Sequence, residues 1–403
     1  MIAPKIRFPE FHGEYVNDSL SEISDRVRRK NSDNQTDIPL TIASIEGLVD
    51  QRTYFGKTVA SKDMSGYYLL QNGEFAYNKS YSKGFPVGSI KRLDKYAQGA
   101  LSTLYICFAL KDDADVTSDY LVQYFNSPAW YEAVNEVCAE GARNHGLLNV
   151  SPDDFFATTH HFASTKEEQD KVAAFLSLYD QKIENQMAKV EALETRRKGL
   201  LQQIFSQKIR FRADDGSKFP DWEPTPFGDV IEPFTIKTKT ENEDTLLSCA
   251  IEGMFLNSEL FDHQRGASNK GYLKIKLGTL ILSAQNLHLG NANVNLRFEH
   301  GIISPAYKTY NVTGCLPEFM GVWVKREAAK KFFFDATTTG ASQCRRNVDW
   351  DKLYSQEMEI PCEAEQRKIS AFVTLVDKQI QIEKGKLEAI KQVKKGLLQQ
   401  MFV

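Results

Sequence analysis

Two stretches decide the fold: Arg197-Lys198-Gly199-Leu200-Leu201-Gln202-Gln203-Ile204-Phe205 and, 197 residues further on, Lys394-Lys395-Gly396-Leu397-Leu398-Gln399-Gln400-Met401-Phe402. They are the matching ends of a longer repeat, in which residues 168–205 align with 365–402 without a gap and with identity at 18 of 38 positions. Both copies open on Glu-Gln, at Glu168-Gln169 and Glu365-Gln366. An ungapped match of this length marks a duplication rather than shared composition. Weaker matches continue upstream: Gly141-Ala142 with Gly340-Ala341, Tyr124 with Trp323, Gly99-x-x-Ser102-x-x-Tyr105 with Gly301-x-x-Ser304-x-x-Tyr307, and Lys5-Ile6-Arg7-Phe8 with Lys208-Ile209-Arg210-Phe211. The chain reads as two tandem copies of a head of roughly 160 residues followed by a helix.

Within the repeat, Val172, Leu176, Tyr179, Ile183, Gln186, Val190, Leu193, Arg197, Leu200 and Ile204 step alternately by four and three, the seam of a heptad coiled coil. The second copy supplies Ile369, Val373, Val376, Ile380, Glu383, Leu387, Ile390, Lys394, Leu397 and Met401. Each stripe is too narrow to stand alone, and the other helix of the same chain is its natural partner. A helix of about 40 residues makes roughly 60 Å of rod. Polar seam positions recur in both copies, Gln186 with Glu383 and Arg197 with Lys394, and suit the setting of register in an antiparallel pair. Ser164-x-x-Glu167 fits a capping box for the first helix, and Pro361 suits the first turn of the second. Two tandem copies related by a two-fold axis across antiparallel helices would place their heads at opposite ends of the rod. The expected organisation is a head over 1–163, a helix over 164–206, a second head over 207–360 and a second helix over 361–403.

Each head reads as short alternating segments punctuated by turns, such as Tyr67-Tyr68-Leu69-Leu70 and Gly73-Glu74-Phe75-Ala76-Tyr77, or Tyr272-Leu273-Lys274-Ile275 and Gly278-Thr279-Leu280-Ile281-Leu282. Helical stretches are expected near 118–140 and 318–334. The fold class is therefore α+β: two globular α/β heads separated by an antiparallel coiled coil of two long helices, with a pseudo-two-fold internal repeat.

Composition sets limits on function. The 403 residues carry 50 Lys and Arg against 53 Asp and Glu, a formal charge of −3, so any surface for nucleic acid must be a local patch. No stretch is apolar enough to span a membrane and the start Met1-Ile2-Ala3-Pro4-Lys5 lacks a signal-peptide core, which predicts a cytoplasmic protein. Six scattered cysteines (Cys107, Cys138, Cys249, Cys315, Cys344, Cys362) show no metal-ligand spacing and read as reduced thiols without a metal. Phe55-Gly56-Lys57-Thr58 imitates the end of a phosphate-binding loop, but Gln51 stands where that loop needs glycine. His145 and the pair His160-His161 have no carboxylate or cysteine at a catalytic spacing. No nucleotide-binding glycine motif, zinc-protease motif or adenine-methyltransferase tetrapeptide is present. The residues offer recognition without catalysis.

The heads differ most in their polar loops, where base contacts would be made. The first offers Asn78, Lys79, Tyr81 and Lys83, with Lys91 and Arg92, and then Arg143-Asn144-His145; the second offers Gln285, Asn286, Asn291, Asn293 and Asn295, and then Gln343, Arg345 and Arg346. Arg and Lys suit guanine edges, Asn and Gln suit adenine. For any one of them, ordinary loop solvation is the competing explanation. The basic runs at 26–30, Arg196-Arg197-Lys198 and Lys394-Lys395 could touch phosphate or simply face solvent.

Taken with the leading segment Pro4-Lys5-Ile6-Arg7-Phe8-Pro9-Glu10-Phe11, the twin Glu-Gln starts and the twin Lys-Gly-Leu-Leu-Gln-Gln ends make the chain resemble, over essentially its whole length, the specificity subunit of type I restriction-modification systems. The resemblance implies two target-recognition domains that each read one half of a bipartite, asymmetric site on double-stranded DNA, and two helical regions that set the gap. It implies two methyltransferase subunits docking on this chain and motor-nuclease subunits joining afterwards, with S-adenosylmethionine, ATP and Mg on those partners and no cofactor here. One departure is Ser164-Thr165-Lys166-Glu167, where the family often has the proline-containing start kept at 361–365. Two other readings compete: a non-DNA-binding coiled-coil scaffold for protein partners, and a single-chain methyltransferase or nuclease.

If the helices are the ruler, deleting one heptad from a helix shortens the rod by about 10 Å and rotates one head against the other. The gap in the recognised site, mapped by methylation, then changes, and an unchanged gap would rule the helices out as the spacer.

Overall fold

The computed structural model describes residues 2–57, 59–82, 84–138, 148–261, 268–339 and 346–403. The chain divides into two compact units, 1–188 with 385–403, and 189–384. Each unit holds one head, a stretch of the first long helix (Lys166–Phe205) and a stretch of the second (Glu363–Met401), so the units cut across both helices rather than at their ends.

In the first unit, the head is built on a four-stranded antiparallel sheet in the order Ser24–Arg26, Ile106–Leu110, Phe75–Asn78, Ser89–Arg92. In the second it is Ile231–Pro233, Tyr307–Val312, Leu280–Ser283, Ala292–Val294, the same order with the same pairings. Both faces of each sheet are covered. Phe75, Tyr77 and Phe108 point into a core shared with the helices, while their neighbours Ala76 and Cys107 point into a second core with Leu40, Leu48, Leu70 and Leu101. The second head repeats this, with Leu280, Leu282 and Tyr310 on one side and Ile281 on the other, beside Leu247, Leu273 and Ile303. Strand side chains alternate between faces, so a sheet buried on both sides needs consecutive apolar residues. That is what Phe75-Ala76-Tyr77 and Leu280-Ile281-Leu282 supply.

The repeated glycines have a steric cause. A Cβ on Gly99 would stand 2.4 Å from Leu40 Cδ1, and one on Gly301 would stand 2.4 Å from Leu247 Cδ1. Both leucines lie on the first strand of a hairpin, Leu40–Ala43 with Gly47–Asp50 in one head and Leu247–Cys249 with Met254–Leu256 in the other. The helical stretch expected at 118–140 is two helices, Ser118–Asn126 and Tyr131–Val137, parted at Pro128; the stretch at 318–334 is Pro317–Val324 and Glu327–Asp335, parted at Lys325 and Arg326. Phe55-Gly56, which mimicked a phosphate loop, is the end of the short helix Gln51–Phe55, closed by Gly56 at φ 63°; Thr58 lies outside the described residues.

Within each unit the two long helices run antiparallel. In the first, Val172 and Leu176, near the start of one helix, share a core with Leu398 and Met401 at the end of the other. In the second, Leu201 and Ile204 share a core with Ile369 and Val373. Asp180 accepts from Lys394 in the first unit, and Arg197 clasps Asp377 in the second, with Nη2 to Oδ2 at 3.0 Å. Asp180 and Asp377 are 197 residues apart, as are Arg197 and Lys394, so one cross-helix ion pair occurs once per unit. Val172, Leu176, Val190, Ile204, Ile369, Val373, Ile380 and Met401 are buried, and Tyr179, Ile183, Leu193, Leu200, Val376, Leu387, Ile390 and Leu397 are half-buried.

The helix starts are fixed by the Glu-Gln pairs. Arg7 reaches Glu168 with Nε to Oε1 at 2.7 Å and Nη2 to Oε2 at 2.8 Å; Arg210 reaches Glu365 with Nε to Oε1 at 3.2 Å and Nη2 to Oε2 at 2.7 Å. The Tyr15 hydroxyl donates to the first carboxylate at 3.4 Å and the Trp222 indole to the second at 3.0 Å. Gln169 accepts from Thr117 N at 2.7 Å and Gln366 from Leu316 N at 2.7 Å, each tying the head to the helix. The cap of the first helix is Thr165, whose hydroxyl accepts from Glu168 N at 3.3 Å, one residue later than the Ser164 box expected from sequence. Pro361 precedes the second helix instead of lying in its first turn: Gln366 Nε2 donates to its carbonyl at 2.8 Å.

Hydrogen bonding to Glu168 raises the Arg7 pKa above the ordinary guanidinium range. Both carboxylate side chains are 1% exposed, so removing the cation strands a buried charge. Arg7→Ala and Arg210→Ala should each cost about 3–5 kcal/mol in denaturant unfolding; a cost below 1 kcal/mol would show that the clasp does not hold the head to the helix.

A second buried group makes the first unit acid-sensitive. Thr158 Oγ1 donates to Phe155 O at 2.7 Å, so it accepts from His160 Nε2 at 2.8 Å, and His160 Nδ1 must accept from the Tyr124 hydroxyl at 3.0 Å. Burial, with His161 adding to it, pushes the His160 pKa down to about 3. Between pH 6.5 and 3 the unfolded chain takes up a proton that the folded chain refuses, so stability falls as pH falls, by up to about 1.4 kcal/mol per pH unit. Thermal melts from pH 7 to 4 should show this slope reduced in His160→Gln, and equal slopes would assign the sensitivity elsewhere.

Candidate nucleic-acid interface

Superposing the two registers places the candidate loops at one position in each head. Asn78 and Ser283 end the third strand of their sheets, and the segments that follow, from Lys79 and from Ala284, carry the candidates Tyr81 and Gln285-Asn286. Asn78 is half-buried and its Oδ1 accepts from Ser80 N at 3.0 Å, which shapes the turn. Lys79 donates to Val150 O at 3.2 Å, and its carbonyl accepts from Leu148 N at 3.0 Å. The loop after the third strand is thereby tied to the chain that leaves the 139–147 segment. Tyr81 is 58% exposed, and Gln285 and Asn286 are exposed. Lys83, Arg143, Asn144, His145, Gln343 and Arg345 lie outside the described residues.

Arg346 begins the strand Arg346–Val348, paired with Thr337–Thr339. Its guanidinium stacks on Phe334 at 4.0 Å and donates through Nε to Thr337 Oγ1 at 2.7 Å and through Nη2 to Thr337 O at 3.2 Å. The ring and hydroxyl aim the side chain, and no carboxylate pairs with it among the described residues. Its position relative to Gln285 and Asn286 is not bridged by any hydrogen bond among the described residues.

Three candidates are internal instead, and Lys91 and Arg92 are half-buried and engaged within the head. Asn291, Asn293 and Asn295 are 6%, 1% and 0% exposed. Asn293 donates to Ala250 O at 2.9 Å and lies beside Asn291 Oδ1 and Cys249 Sγ, and Asn295 donates to Lys276 O and Phe298 O at 3.0 and 2.8 Å. Asn293 lies in the strand Ala292–Val294 with Asn291 and Asn295 flanking it, and a buried amide needs internal partners, so these side chains are committed to the fold and do not face a ligand. Lys91 donates to Asn126 Oδ1 at 2.5 Å, and burial, with Lys394 adding to it, lowers its pKa to about 8. Arg92 holds Asp94 and Asp119, each at 2.7 Å.

Sequence reasoning missed Arg326. Its guanidinium lies over Phe205 at 4.0 Å and Trp323 at 4.9 Å, donates through Nε to Trp323 O at 3.1 Å, and burial lowers its pKa to about 10. It borders a recess of about 600 Å³ with Arg197, Lys198 and Lys325. Arg197 is already paired with Asp377, Lys325 donates to Asn293 and Ile251 O, and Glu327 also lines the recess, so Lys198 and Arg326 are the cations it offers an anion. The neighbouring aromatic residues were the available signal, but only the fold brings Phe205 beneath Arg326. Among the described residues no cluster of His, Cys, Asp or Glu is arranged to hold a metal ion, and no helix is long and apolar enough to cross a membrane.

No protein-family profile matches the sequence. Solved structures do match along the whole chain. One is a chain from a type I R-M system studied for its complex assembly and conformational transition, with a TM-score of 0.58 and 13% identity over 96% of this chain and 97% of that one. Another is the type I restriction-modification S subunit from M. genitalium, with a TM-score of 0.52 and 14% identity over 100% of this chain and 99% of that one. With its duplicated heads and antiparallel helices, the chain has the fold of the S subunit of type I restriction-modification systems.

Proposed function

We propose that this chain is the sequence-specific DNA-binding subunit of a type I restriction-modification complex, in which each head reads one half of a bipartite, asymmetric site. The observation that carries the reading is a pair of like frameworks bearing unlike surfaces. The four-stranded sheets agree strand for strand, yet the segment after the third strand is Lys79-Ser80-Tyr81 in one head and Ala284-Gln285-Asn286 in the other. A duplicated binder that needed one specificity would have no use for the difference. The S-subunit fold supports the same assignment.

In this reading Tyr81, Gln285, Asn286 and Arg346 face the DNA, together with Lys83, Arg143, Asn144, His145, Gln343 and Arg345. The long helices set the gap between half-sites and dock two methyltransferase subunits, which bring S-adenosylmethionine; motor-nuclease subunits bring ATP and Mg. The chain itself recognises and does not catalyse, and it works in the cytoplasm. Lys198 and Arg326 at the recess would meet a DNA phosphate, which would hold register without reading sequence.

Gel-shift titration of the chain with its methyltransferase subunits on a split site tests this. Binding should weaken steeply with salt as phosphate counterions are released. Arg345→Ala with Arg346→Ala should weaken discrimination at one half-site only, by about 1–3 kcal/mol per lost base contact. Equal loss at both halves would point to a fold defect, and salt-independent association without DNA preference would favour a protein scaffold.

A further inference from the structure

The hairpins that cover the outer face of each sheet end on the same exposed residues. In the first head the tip is Ser44-Ile45-Glu46, with Ala43 opposite Gly47. In the second it is Ile251-Glu252, with Ala250 N bonded to Gly253 O at 2.9 Å and Gly253 N to Ala250 O at 3.3 Å. The loops differ in length by one residue, so turn geometry does not dictate the sequence, and yet each tip presents Ile-Glu followed by Gly. Gly47, at φ 86°, answers to the turn; the isoleucines and glutamates do not. Ile45 is 83% exposed and Ile251 41%, and both glutamates are exposed. An isoleucine at such exposure in two non-identical loops is unexplained by folding.

A Lys–Asn pair stands near both tips, written two ways, and in the second head it also bonds to the tip. In the first head Lys91, on the edge strand, donates to Asn126 at the end of a helix. In the second head the matching strand position is Asn293 and the matching helix position is Lys325, and Lys325 donates to Asn293. Donor and acceptor have changed places, and the pair persists. Burial lowers both lysines to about 8. In the second head, Lys325 also donates to Ile251 O at 2.7 Å while Asn293 donates to Ala250 O. In the first, Lys95 donates to Glu46 O at 3.0 Å, and Lys91 and Asn126 line a recess with Ile45 and Glu46.

We infer that the Ile45-Glu46 and Ile251-Glu252 tips are equivalent docking points, one per head, for two copies of one protein subunit that offers each isoleucine an apolar pocket edged by a basic side chain. Half-sites that differ in sequence cannot explain identical tips, and a carboxylate at each tip repels a phosphate backbone. A subunit present twice meets both heads with the same surface, which is what identical tips on unlike heads fit. This rests on the proposed function, in which the methyltransferase subunit is that partner.

The test uses the full chain and its methyltransferase subunit, counted by native mass spectrometry and titrated by calorimetry. Wild type should hold two copies. Ile45→Asp and Ile251→Asp should each weaken one site by about 30-fold or more, as expected for loss of an anchor, and the double variant both, with unchanged melting temperatures. Glu46→Lys with Glu252→Lys, which keeps the isoleucines, should weaken both sites and gives a second measurement if an aspartate variant misfolds. Two copies retained at full affinity in all variants would overturn the docking assignment alone. So would retained copies with DNA binding lost, since the tips would then touch DNA. A wild-type chain that binds DNA but no methyltransferase would overturn the proposed function as well.

Discussion

The architecture depends on two buried carboxylates. Glu168 and Glu365 each stand in the first turn of a 40- or 39-residue helix, where a negative charge also suits the helix dipole. Each is held by an arginine that precedes its head in sequence. The leading segment and the helix start are thus locked together although more than 150 residues separate them. A two-stranded ribbon beside each clasp, Val16–Ser19 with Thr159–Phe162 and Glu223–Pro226 with Glu357–Ile360, closes the head between them. The ion pair contributes less to net stability than to a fixed geometry: buried pairs of this kind often add little free energy over an apolar contact, but their loss is costly. The fixed geometry sets where each head sits on its helix start.

The rod and the clasps were legible in sequence because they are the parts the duplication left alike. Glu168-Gln169 and Glu365-Gln366 stood out as letters, and their chemistry became visible only when Arg7 and Arg210 were seen to meet them. The heads were harder. Their sheets match strand for strand, but the matching residues are Phe75 with Leu280 and Phe108 with Tyr310, which share a burial requirement and little else. Burial constrains polarity and volume far more than identity, so two frameworks can coincide while their sequences drift apart.

The candidate surface shows the same limit from the other side. Asn291, Asn293 and Asn295 read as loop polarity because asparagine is common in turns, but they alternate in and beside the strand Ala292–Val294, where Asn293 and Asn295 serve internal carbonyls and Asn291 accepts from Asn293. Period two was the signal that could have marked them as inward. Lys91 was read as a cation for DNA, and only the structure shows its ammonium on Asn126. The reversed pair Lys325 and Asn293 is invisible to any alignment that scores positions singly, because each position changes chemistry while the pair does not.

Reciprocal exchange of that kind bears on how unlike surfaces can share one scaffold. A buried ammonium without a partner is costly, and so is a buried amide without one. Neither position can change alone without loss, so the Lys–Asn pair survives only through paired change. In the segments after Asn78 and Ser283, Tyr81 and Gln285 are solvent-facing, carry no such pair among the described residues and can be replaced singly. The physical contrast divides each head into a coupled frame, in which the duplication remains recognisable in three dimensions, and an uncoupled rim free to diverge. The rim can then change while the clasps, the sheets and the Lys–Asn pairs hold the rest in place.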